Sequence, residues 1–329
     1  MSNRIVSPTM TNTRLPTCCI VLTTDQTYLF PTLVSAMQAR RHASPAKADV
    51  LICHFAIDEP SERVFSEICT KKDIRLMAVD PATIENTSPM MSRLFLDRFL
   101  PTQYTQVLYI DGDVHVSRSL DPLLEADVPA GHFLAANDPM TFLLHDRDAL
   151  SRDLSQHLAS IGLSQQQAER YFNTGVLRIN RAGWDEIGQR AWKLTQQGAG
   201  QSRFPDQDPL NVVAADNHIP LSLTWNFPIF MRNARVQAEI NPCITHFMSS
   251  PKPWHGAYPP WNAKACIPYR DAIASYPALR SYRQSLSARR KVHYRLLQTY
   301  KKLYETWAWG YSERRQRILG YEKAALLAV

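Results

Sequence analysis

Two aspartates separated by a single glycine follow an apolar run in the segment VLYIDGDVHV, residues 107–116. The run before them is typical of a buried strand. Because side chains alternate along extended backbone, Asp111 and Asp113 return to the same side. Two carboxylates that converge at a strand end repel each other unless a cation lies between them. Their oxygens are ligands that Mg²⁺ and Mn²⁺ prefer, so the pattern predicts a divalent-metal site, with a solvated turn as the structural alternative.

A second segment that holds residues able to bind a metal or a phosphate is HFMSSPKPWH, residues 246–255. His246 follows a short apolar stretch, and an imidazole added to two carboxylates makes a site that favours manganese. Lys252, six residues later, is a compact positive charge suited to a phosphate group. A single histidine in such a run is more often structural, and its pairing with Asp111 and Asp113 is what favours the metal hypothesis.

The aspartate motif also resembles the nucleophile motif of haloacid-dehalogenase-type phosphatases, in which an apolar strand is followed by DxDxV. That motif normally opens its domain, whereas about 110 residues come first here. A phosphatase would also need a downstream lysine and a paired acidic motif at a strand end. The segment PDQDP, residues 205–209, is the only weak match. The motif alone therefore leaves a phosphatase as an alternative function.

The segments that must position these residues alternate between strand and helix patterns. Apolar, β-branched runs predict strands, and helical periodicity predicts helices. The strands are expected at residues 18–23, 49–55, 74–79, 106–110, 132–136, 174–180 and 244–247, and helices at 28–41, 61–71 and 89–99. This alternation predicts an α/β fold with a mostly parallel sheet covered on both faces. Ligands of such sheets bind beyond the carboxyl ends of the strands, where Asp111 and Asp113 are expected.

The overall composition is that of an ordinary globular protein. The chain has 329 residues, of which 45% are hydrophobic and 20% charged, enough for one large domain or two modest ones. The N-terminal segment lacks the apolar core of a signal peptide, and no window of about 18 apolar residues predicts a membrane span. The six cysteines form no CxxC pair, so buried free thiols and a cytosolic location are expected.

The positive charge of the chain is concentrated at its C-terminal end. Residues 279–329 contain 12 Lys and Arg against three Asp and Glu, a net charge of +9, whereas the whole chain carries +7. A spacing of three and four predicts an amphipathic helix over 288–309 with apolar and aromatic positions Val292, Leu296, Leu297, Tyr300, Leu303, Tyr304 and Trp307. A basic face beside aromatic residues suits an anionic membrane surface. A helix packed on the preceding domain is the alternative, and no nucleic-acid-binding motif accompanies the charge.

Four ordered blocks over residues 18–254 give the sequence a resemblance to the retaining glycosyltransferases of family 8, which include glycogenin and bacterial lipopolysaccharide galactosyltransferases and glucosyltransferases. The blocks are the entry strand with TTDQTY, MMSRLFLDRFLP with VLYIDGDVHV, YFNTGVLRINRAGW with PDQDPLN, and HFMSSPKPWH. The resemblance implies a single Rossmann-like domain of the GT-A type over residues 16–278, after a flexible N-terminus (1–15) and before a basic helical tail (279–329). A non-catalytic nucleotide-sugar-binding protein is the second alternative, although the complete metal set disfavours it.

What the resemblance implies about function is hexose transfer, most often of glucose or galactose, from a UDP-sugar to a saccharide or lipid-linked saccharide. It implies Mn²⁺ or Mg²⁺ held by Asp111, Asp113 and His246. The absence of a signal peptide and the basic tail add the expectation of a cytoplasmic enzyme, peripheral on the inner face of the membrane. The uridine-binding residues would be Leu22, Thr24, Asp25 and Tyr28, with Tyr28 stacking on uracil. The further substrate-binding positions would be Arg93, Gly112, Asp138, Asn173, Thr174, Gly175, Ser249 and Lys252. Ser249 stands where the family usually has glycine, which alters backbone freedom in that loop.

The implied chemistry explains these residue types. Cleavage of the sugar–diphosphate bond develops negative charge on UDP, which a divalent ion, Lys252 and Arg93 would neutralise. Retention of configuration requires either attack from the face of departure or a covalent intermediate, for which Asp206 and Gln207 are the candidates. The residues leave both routes open, and the resemblance implies the first.

Overall fold

The computed structural model describes residues 16–198 and 202–328, so the predicted flexible N-terminus lies outside the described residues. In this part of the chain the strands are β1 (Cys18–Thr24), β2 (Ala48–His54), β3 (Arg75–Ala78), β4 (Gln106–Ile110), β5 (Val114–Val116), β6 (Phe133–Asn137), β7 (Phe172–Asn180), β8 (His218–Pro220), β9 (Phe227–Pro228) and β10 (Ile244–His246). The seven predicted strands all lie within a few residues of these bounds.

The described helices lie between and after the strands. They are α1 (Leu29–Arg41), α2 (Glu59–Lys71), α3 (Leu96–Phe99), α4 (Asp121–Leu124), α5 (Ala149–Ser160), α6 (Gln165–Ala168), α7 (Trp184–Gln197), α8 (Gln207–Ala214), α9 (Gln237–Ile240), α10 (Ile267–Ser275), α11 (Ala288–Gly310) and α12 (Glu313–Ala324). The helix predicted over 89–99 divides into a 3-10 turn, Pro89–Phe95, and α3. This turn carries the buried Arg93, which donates a hydrogen bond to the carbonyl of Thr174 in β7.

The central sheet has the order β3-β2-β1-β4-β7-β6-β8, and a small second sheet has the order β5-β10-β9. Within the central sheet β7 is antiparallel to both of its neighbours, β4 and β6. The other described pairs in that sheet are parallel. The prediction of a mostly parallel α/β sheet is therefore confirmed.

Both faces of the central sheet are covered by apolar side chains. Alternate residues of β1 enter different clusters. Ile20 belongs to the apolar cluster that includes Phe30 of α1, whereas Val21 belongs to the cluster on the other face that includes Trp184 of α7. The two-sided burial explains why β1 reads as a continuous apolar run rather than an alternating one. Parallel pairing with β1 places the end of β4 at a defined point in the sheet.

The C-terminal helices are present as predicted, and α12 packs on the body of the protein. The Glu322 carboxylate accepts hydrogen bonds from the Ser222 hydroxyl and the Leu223 backbone N–H. Arg314 makes an ion pair with Asp146. Among the described residues, the helices include none that combines the length and the apolar character needed to cross a bilayer.

Candidate active site

The Asp-Gly-Asp segment and His246 meet because two strands pair antiparallel. Asp111 follows the last residue of β4, and β10 pairs with β5 so that His246 lies opposite Val114, next to Asp113. The imidazole Nε2 lies 3.3 Å from a carboxylate oxygen of Asp113 and 3.9 Å from one of Asp111. One ligand atom from each of the three residues lies within 4.8 Å of the others. Two carboxylate oxygens and one imidazole nitrogen suit Mn²⁺.

The orientation of His246 is set by Asn226, a residue that the motif analysis did not identify. The imidazole Nδ1 lies 2.9 Å from the side-chain oxygen of Asn226, which can only accept, so Nδ1 carries the proton. Nε2 therefore faces the two carboxylates, and in the neutral imidazole it is the nitrogen that would bind a metal. Asn226 is a single amide in an otherwise apolar stretch, LTWNFPIF, and that is the only signal for it in the sequence.

Two glycines allow the close packing of this cluster. A Cβ atom on Gly175 would lie 2.2 Å from Cε1 of His246 and 2.9 Å from a carboxylate oxygen of Asp111. A Cβ atom on Gly112 would lie 2.2 Å from the hydroxyl oxygen of Thr32. Both positions therefore favour glycine for steric reasons. The ligand atoms of Asp111, Asp113 and His246 are close enough together to hold a small divalent cation.

Two buried cations lie against the aspartates. Arg93 donates to Asp111 at 2.8 Å and lies 3.2 Å from Asp206, while Lys252 donates to Asp113 at 2.6 Å. Burial alone would raise the pKa of both carboxyls. It does so for Asp111, whereas Lys252 and then His246 hold the pKa of Asp113 well below its usual range. The two carboxyls thus differ in proton affinity, and Asp113 carries the more firmly held negative charge.

Most of the predicted nucleotide-binding residues line one cavity beside this cluster. Its volume is about 330 Å³ and its wall includes Thr24, Asp25, Tyr28, Arg93 and Asp111. The carboxylate of Asp25 accepts from the backbone N–H of Tyr28 at 2.9 Å, and Tyr28 packs edge-on against Trp254. Leu22 lies instead inside the sheet core, fully buried. The wall also holds residues that sequence reasoning missed: Thr23, Thr32, Ser88, Pro89, Met90 and Tyr109.

The predicted sugar-binding residues form a continuous hydrogen-bond network on the other side of the carboxylate–histidine cluster, which consists of Asp111, Asp113 and His246. The carboxylate of Asp138 accepts from the side-chain amides of Asn173 and Gln207, each at 3.1 Å. The side-chain oxygen of Asn173 accepts from Asn226 at 2.8 Å. A chain of hydrogen bonds thus runs from His246 through Asn226 and Asn173 to Asp138, and burial raises the pKa of Asp138. These four side chains are positioned as one unit.

The fold and the site define a glycosyltransferase of GT-A-like architecture. Residues 19–257 match the model of the family described as glycosyl transferase family 8. The chain therefore belongs to glycosyltransferase family 8. Membership of this family replaces the phosphatase interpretation, since the aspartate motif lies inside the matched region.

Several known proteins are similar to the chain. The lipopolysaccharide glucosyltransferase WaaO of Escherichia coli K12 is 26% identical over 184 residues, covering 53% of this chain and 51% of that protein. The lipopolysaccharide 1,3-galactosyltransferase of Salmonella typhimurium is 24% identical over 190 residues, covering 54% and 53%. The chain thus spans about half the length of these relatives. The solved galactosyltransferase LgtC, complexed with donor and acceptor sugar analogues, matches the fold with a TM-score of 0.63 at 21% identity, covering 80% of this chain and 99% of that one.

Proposed function

We propose that the protein transfers a hexose from a UDP-sugar to a saccharide or lipid-linked saccharide, with retention of configuration and dependence on a divalent metal. The observation that carries this proposal is the juxtaposition of Asp111, Asp113 and His246 with the cavity lined by Thr24, Asp25 and Tyr28. A divalent cation held by the first three residues would neutralise the charge that develops on the departing diphosphate.

On the donor side, the chain supplies recognition and positive charge. The aromatic ring of Tyr28 is partly exposed at the cavity wall, as stacking on uracil would require. Lys252 and Arg93 are both buried and both within hydrogen-bond distance of the aspartates. Their charges would stabilise the leaving diphosphate. Hydrogen bonds to the backbone carbonyls of Thr174 and Phe247 hold the two cations in place.

The environment of Asp206 favours attack from the face of departure. Its carboxylate accepts from the Thr174 hydroxyl at 3.0 Å and lies 3.2 Å from the Arg93 guanidinium. A carboxylate stabilised by two such donors is a weaker nucleophile than a free one. In the proposed step, the bond from the anomeric carbon to the diphosphate oxygen breaks and the acceptor oxygen bonds to the same face. The acceptor's proton passes to the departing diphosphate. Asp138, Asn173 and Gln207 would hold the sugar hydroxyls.

The proposed acceptor is a lipid-linked saccharide, reached from the cytoplasmic surface of an anionic membrane. Two relatives are named as lipopolysaccharide glycosyltransferases. Helix α11 also presents an outer stripe of exposed apolar and aromatic residues: Val292, Leu296, Tyr300, Leu303 and Trp307. Exposed basic residues near its start, Arg289, Arg290, Lys291 and Arg295, add attraction to anionic lipid.

The test of the transferase proposal is release of UDP from a panel of UDP-hexoses with Mn²⁺ present. We expect turnover of one donor, loss of that turnover with a chelator, and loss in the Asp113→Asn variant. Asp216 is exposed, and Asp216→Asn serves as the matched control that keeps activity. UDP-sugar binding without any turnover by the unmodified chain would instead support the non-catalytic alternative.

A further inference from the structure

A second cavity lies between the body of the protein and the C-terminal helices. We call it the C-terminal cavity; its volume is about 400 Å³, and its body side includes Asp138, Ser249 and Trp261. Its opposite side is formed by α11 with Lys301, Glu305 and Trp309. A volume of this size is in the range of small-molecule sites. The C-terminal segment is therefore part of the wall of a ligand-sized space.

The C-terminal cavity is connected to the candidate active site through Asp138. The carboxylate of Asp138 accepts from Gln207, and Gln207 also accepts from the backbone N–H of Thr174 at 3.2 Å. Thr174 is in turn hydrogen-bonded to Arg93. A molecule in the C-terminal cavity would thus lie against the same polar network that is proposed to hold the transferred sugar.

Helix α11 has two distinct faces. Its inner positions follow a spacing of three and four residues and either line the cavity or are buried: Gln298, Lys301, Glu305 and Trp309. The outer stripe follows the same spacing but points away, because the two sets are offset by about half a helical turn. The inner face is anchored to the body, since the Gln298 amide donates to the carbonyl of Ser250 at 3.3 Å.

The inner face combines flat apolar surfaces with one donor and one acceptor side chain. Trp309 is buried and packs against Phe230, with ring centroids 5.5 Å apart. Lys301 and Glu305 are one helical turn apart and both are half-buried. Asn233 donates to Glu305 at 2.8 Å, which fixes the direction of that carboxyl. Aromatic faces beside a few convergent polar groups are the features that bind a hydroxyl-rich ring.

We propose that the C-terminal cavity binds the acceptor saccharide and that the inner face of α11 selects it, with Lys301 and Glu305 hydrogen-bonding to its hydroxyl groups. This inference rests on the proposed function, because it identifies the acceptor side of the same site. It makes the C-terminal helix a specificity element rather than only an attachment to a membrane. The acceptor is expected to be neutral near this wall, since one positive and one negative side chain face it together.

The test measures saccharide binding directly, without turnover. Lactose, maltose, cellobiose and melibiose are titrated into the full chain with UDP and Mn²⁺, and binding is followed by saturation-transfer NMR. We expect at least one disaccharide to bind, and Lys301→Met and Glu305→Gln each to weaken that binding by about tenfold. Lys302 is exposed, and Lys302→Met is the matched control that leaves it unchanged. UDP affinity, measured by calorimetry, should be the same in all variants.

Each outcome has a definite meaning. Binding of none of the four disaccharides, or equal binding by the Lys301 and Lys302 variants, overturns the inference. Thermal melts identify a variant that fails to fold, in which case the Glu305→Gln result decides, since that change keeps the size of the side chain. Absence of UDP binding by the unmodified chain would contradict the proposed function instead, and this is read from calorimetry independently of the saccharides.

Discussion

The carboxylate–histidine cluster and helix α11 reach their positions by different physical routes. Asp111 follows β4, Asp113 precedes β5 and His246 ends β10, and backbone hydrogen bonds hold these strands in a fixed register. Helix α11 is long and continuous but is held along one face only, and its outer stripe is exposed. At the first region backbone pairing brings the functional groups together. At helix α11, side-chain contacts with the body of the protein decide which face is packed and which is exposed.

This difference implies unequal consequences of substitution. At the carboxylate–histidine cluster, even a small substitution displaces closely packed groups, so activity should fall strongly while the fold is kept. On α11, the inner face should affect recognition of the acceptor, and the outer face should affect neither fold nor catalysis.

Among substitutions in the carboxylate–histidine cluster, replacement of Asp113 by asparagine should cause the largest loss of Mn²⁺ affinity and of transfer. The change keeps the shape of the side chain but removes the charge that opposes Lys252 and contributes to the metal site. We expect Mn²⁺ affinity and transfer to fall on the order of a thousandfold. This exceeds the roughly 10–100-fold loss that is typical when a residue hydrogen-bonded to a metal ligand is replaced. Calorimetric titration measures Mn²⁺ affinity, release of UDP measures transfer, and a circular dichroism spectrum checks that the variant is folded. Unchanged Mn²⁺ binding in a folded variant would remove Asp113 from the site.

Gly175→Ala should disrupt the same cluster by steric contact alone. The new methyl group would lie 2.2 Å from His246, and displacement of a ligand by about 1 Å typically costs a hundredfold in rate. Gly320 of α12 provides the matched control, because a Cβ there meets nothing within 4 Å. Gly320→Ala should keep activity and raise stability by up to about 1 kcal/mol. Equal activity of the two variants would show that the cluster can relax around the methyl group.

Asn226→Ala tests whether the orientation of His246 matters separately from its presence. Loss of the acceptor at Nδ1 frees the imidazole to adopt the other tautomer or to rotate, and Mn²⁺ affinity should fall roughly 10–100-fold. The Asn217 amide bonds to the carbonyl of Gly131 instead, so Asn217→Ala should leave Mn²⁺ affinity unchanged. A variant at Asn226 that binds Mn²⁺ as tightly as the parent would mean that β10 alone fixes the ring.

The same contrast explains how much could be predicted from the sequence. The apolar run of β4 predicts the strand that ends just before Asp111, because it depends on local backbone geometry. Gly112 and Asp113 lie in a turn rather than in extended backbone, so the two aspartates come together through that turn and not through the period of two. The role of Asn226 could not be predicted, since its hydrogen bond to His246 depends on how a short apolar segment folds back beside β10. The ion pair between Lys252 and Asp113 spans 139 residues and has no local signature.

For α11 the sequence predicts the helix but not which face packs on the body. Apolar residues recur at a spacing of three and four on the outer stripe, and Ala308 and Trp309 add a second apolar set on the inner face. Periodicity alone cannot show which of the two apolar sets packs against the body of the protein. Contacts with segments distant in sequence decide the matter, such as Gln298 with Ser250 and Glu305 with Asn233.

The smallest expected effect on the fold, and the sharpest test of the outer face, comes from Leu303→Gln combined with Trp307→Gln. Both side chains are about 70% exposed, at 69% and 71%, so the melting temperature should not fall. Each large apolar side chain that enters a bilayer contributes about 1.5–3 kcal/mol, and tryptophan favours the headgroup region. The double variant should therefore lose at least tenfold in affinity for phosphatidylglycerol vesicles in co-sedimentation.

Salt and lipid composition separate the two contributions to that binding. The parent chain should bind vesicles of neutral phosphatidylcholine weakly and should detach from phosphatidylglycerol as salt screens its basic residues. The double variant should bind vesicles more weakly because it has lost two large apolar side chains. Its binding should still depend on salt, because its charges are unchanged. UDP release should be equal in the two proteins, since neither substituted residue lines the C-terminal cavity. If the double variant binds vesicles as well as the parent does, the outer stripe does not contact the membrane and charge alone attaches the helix.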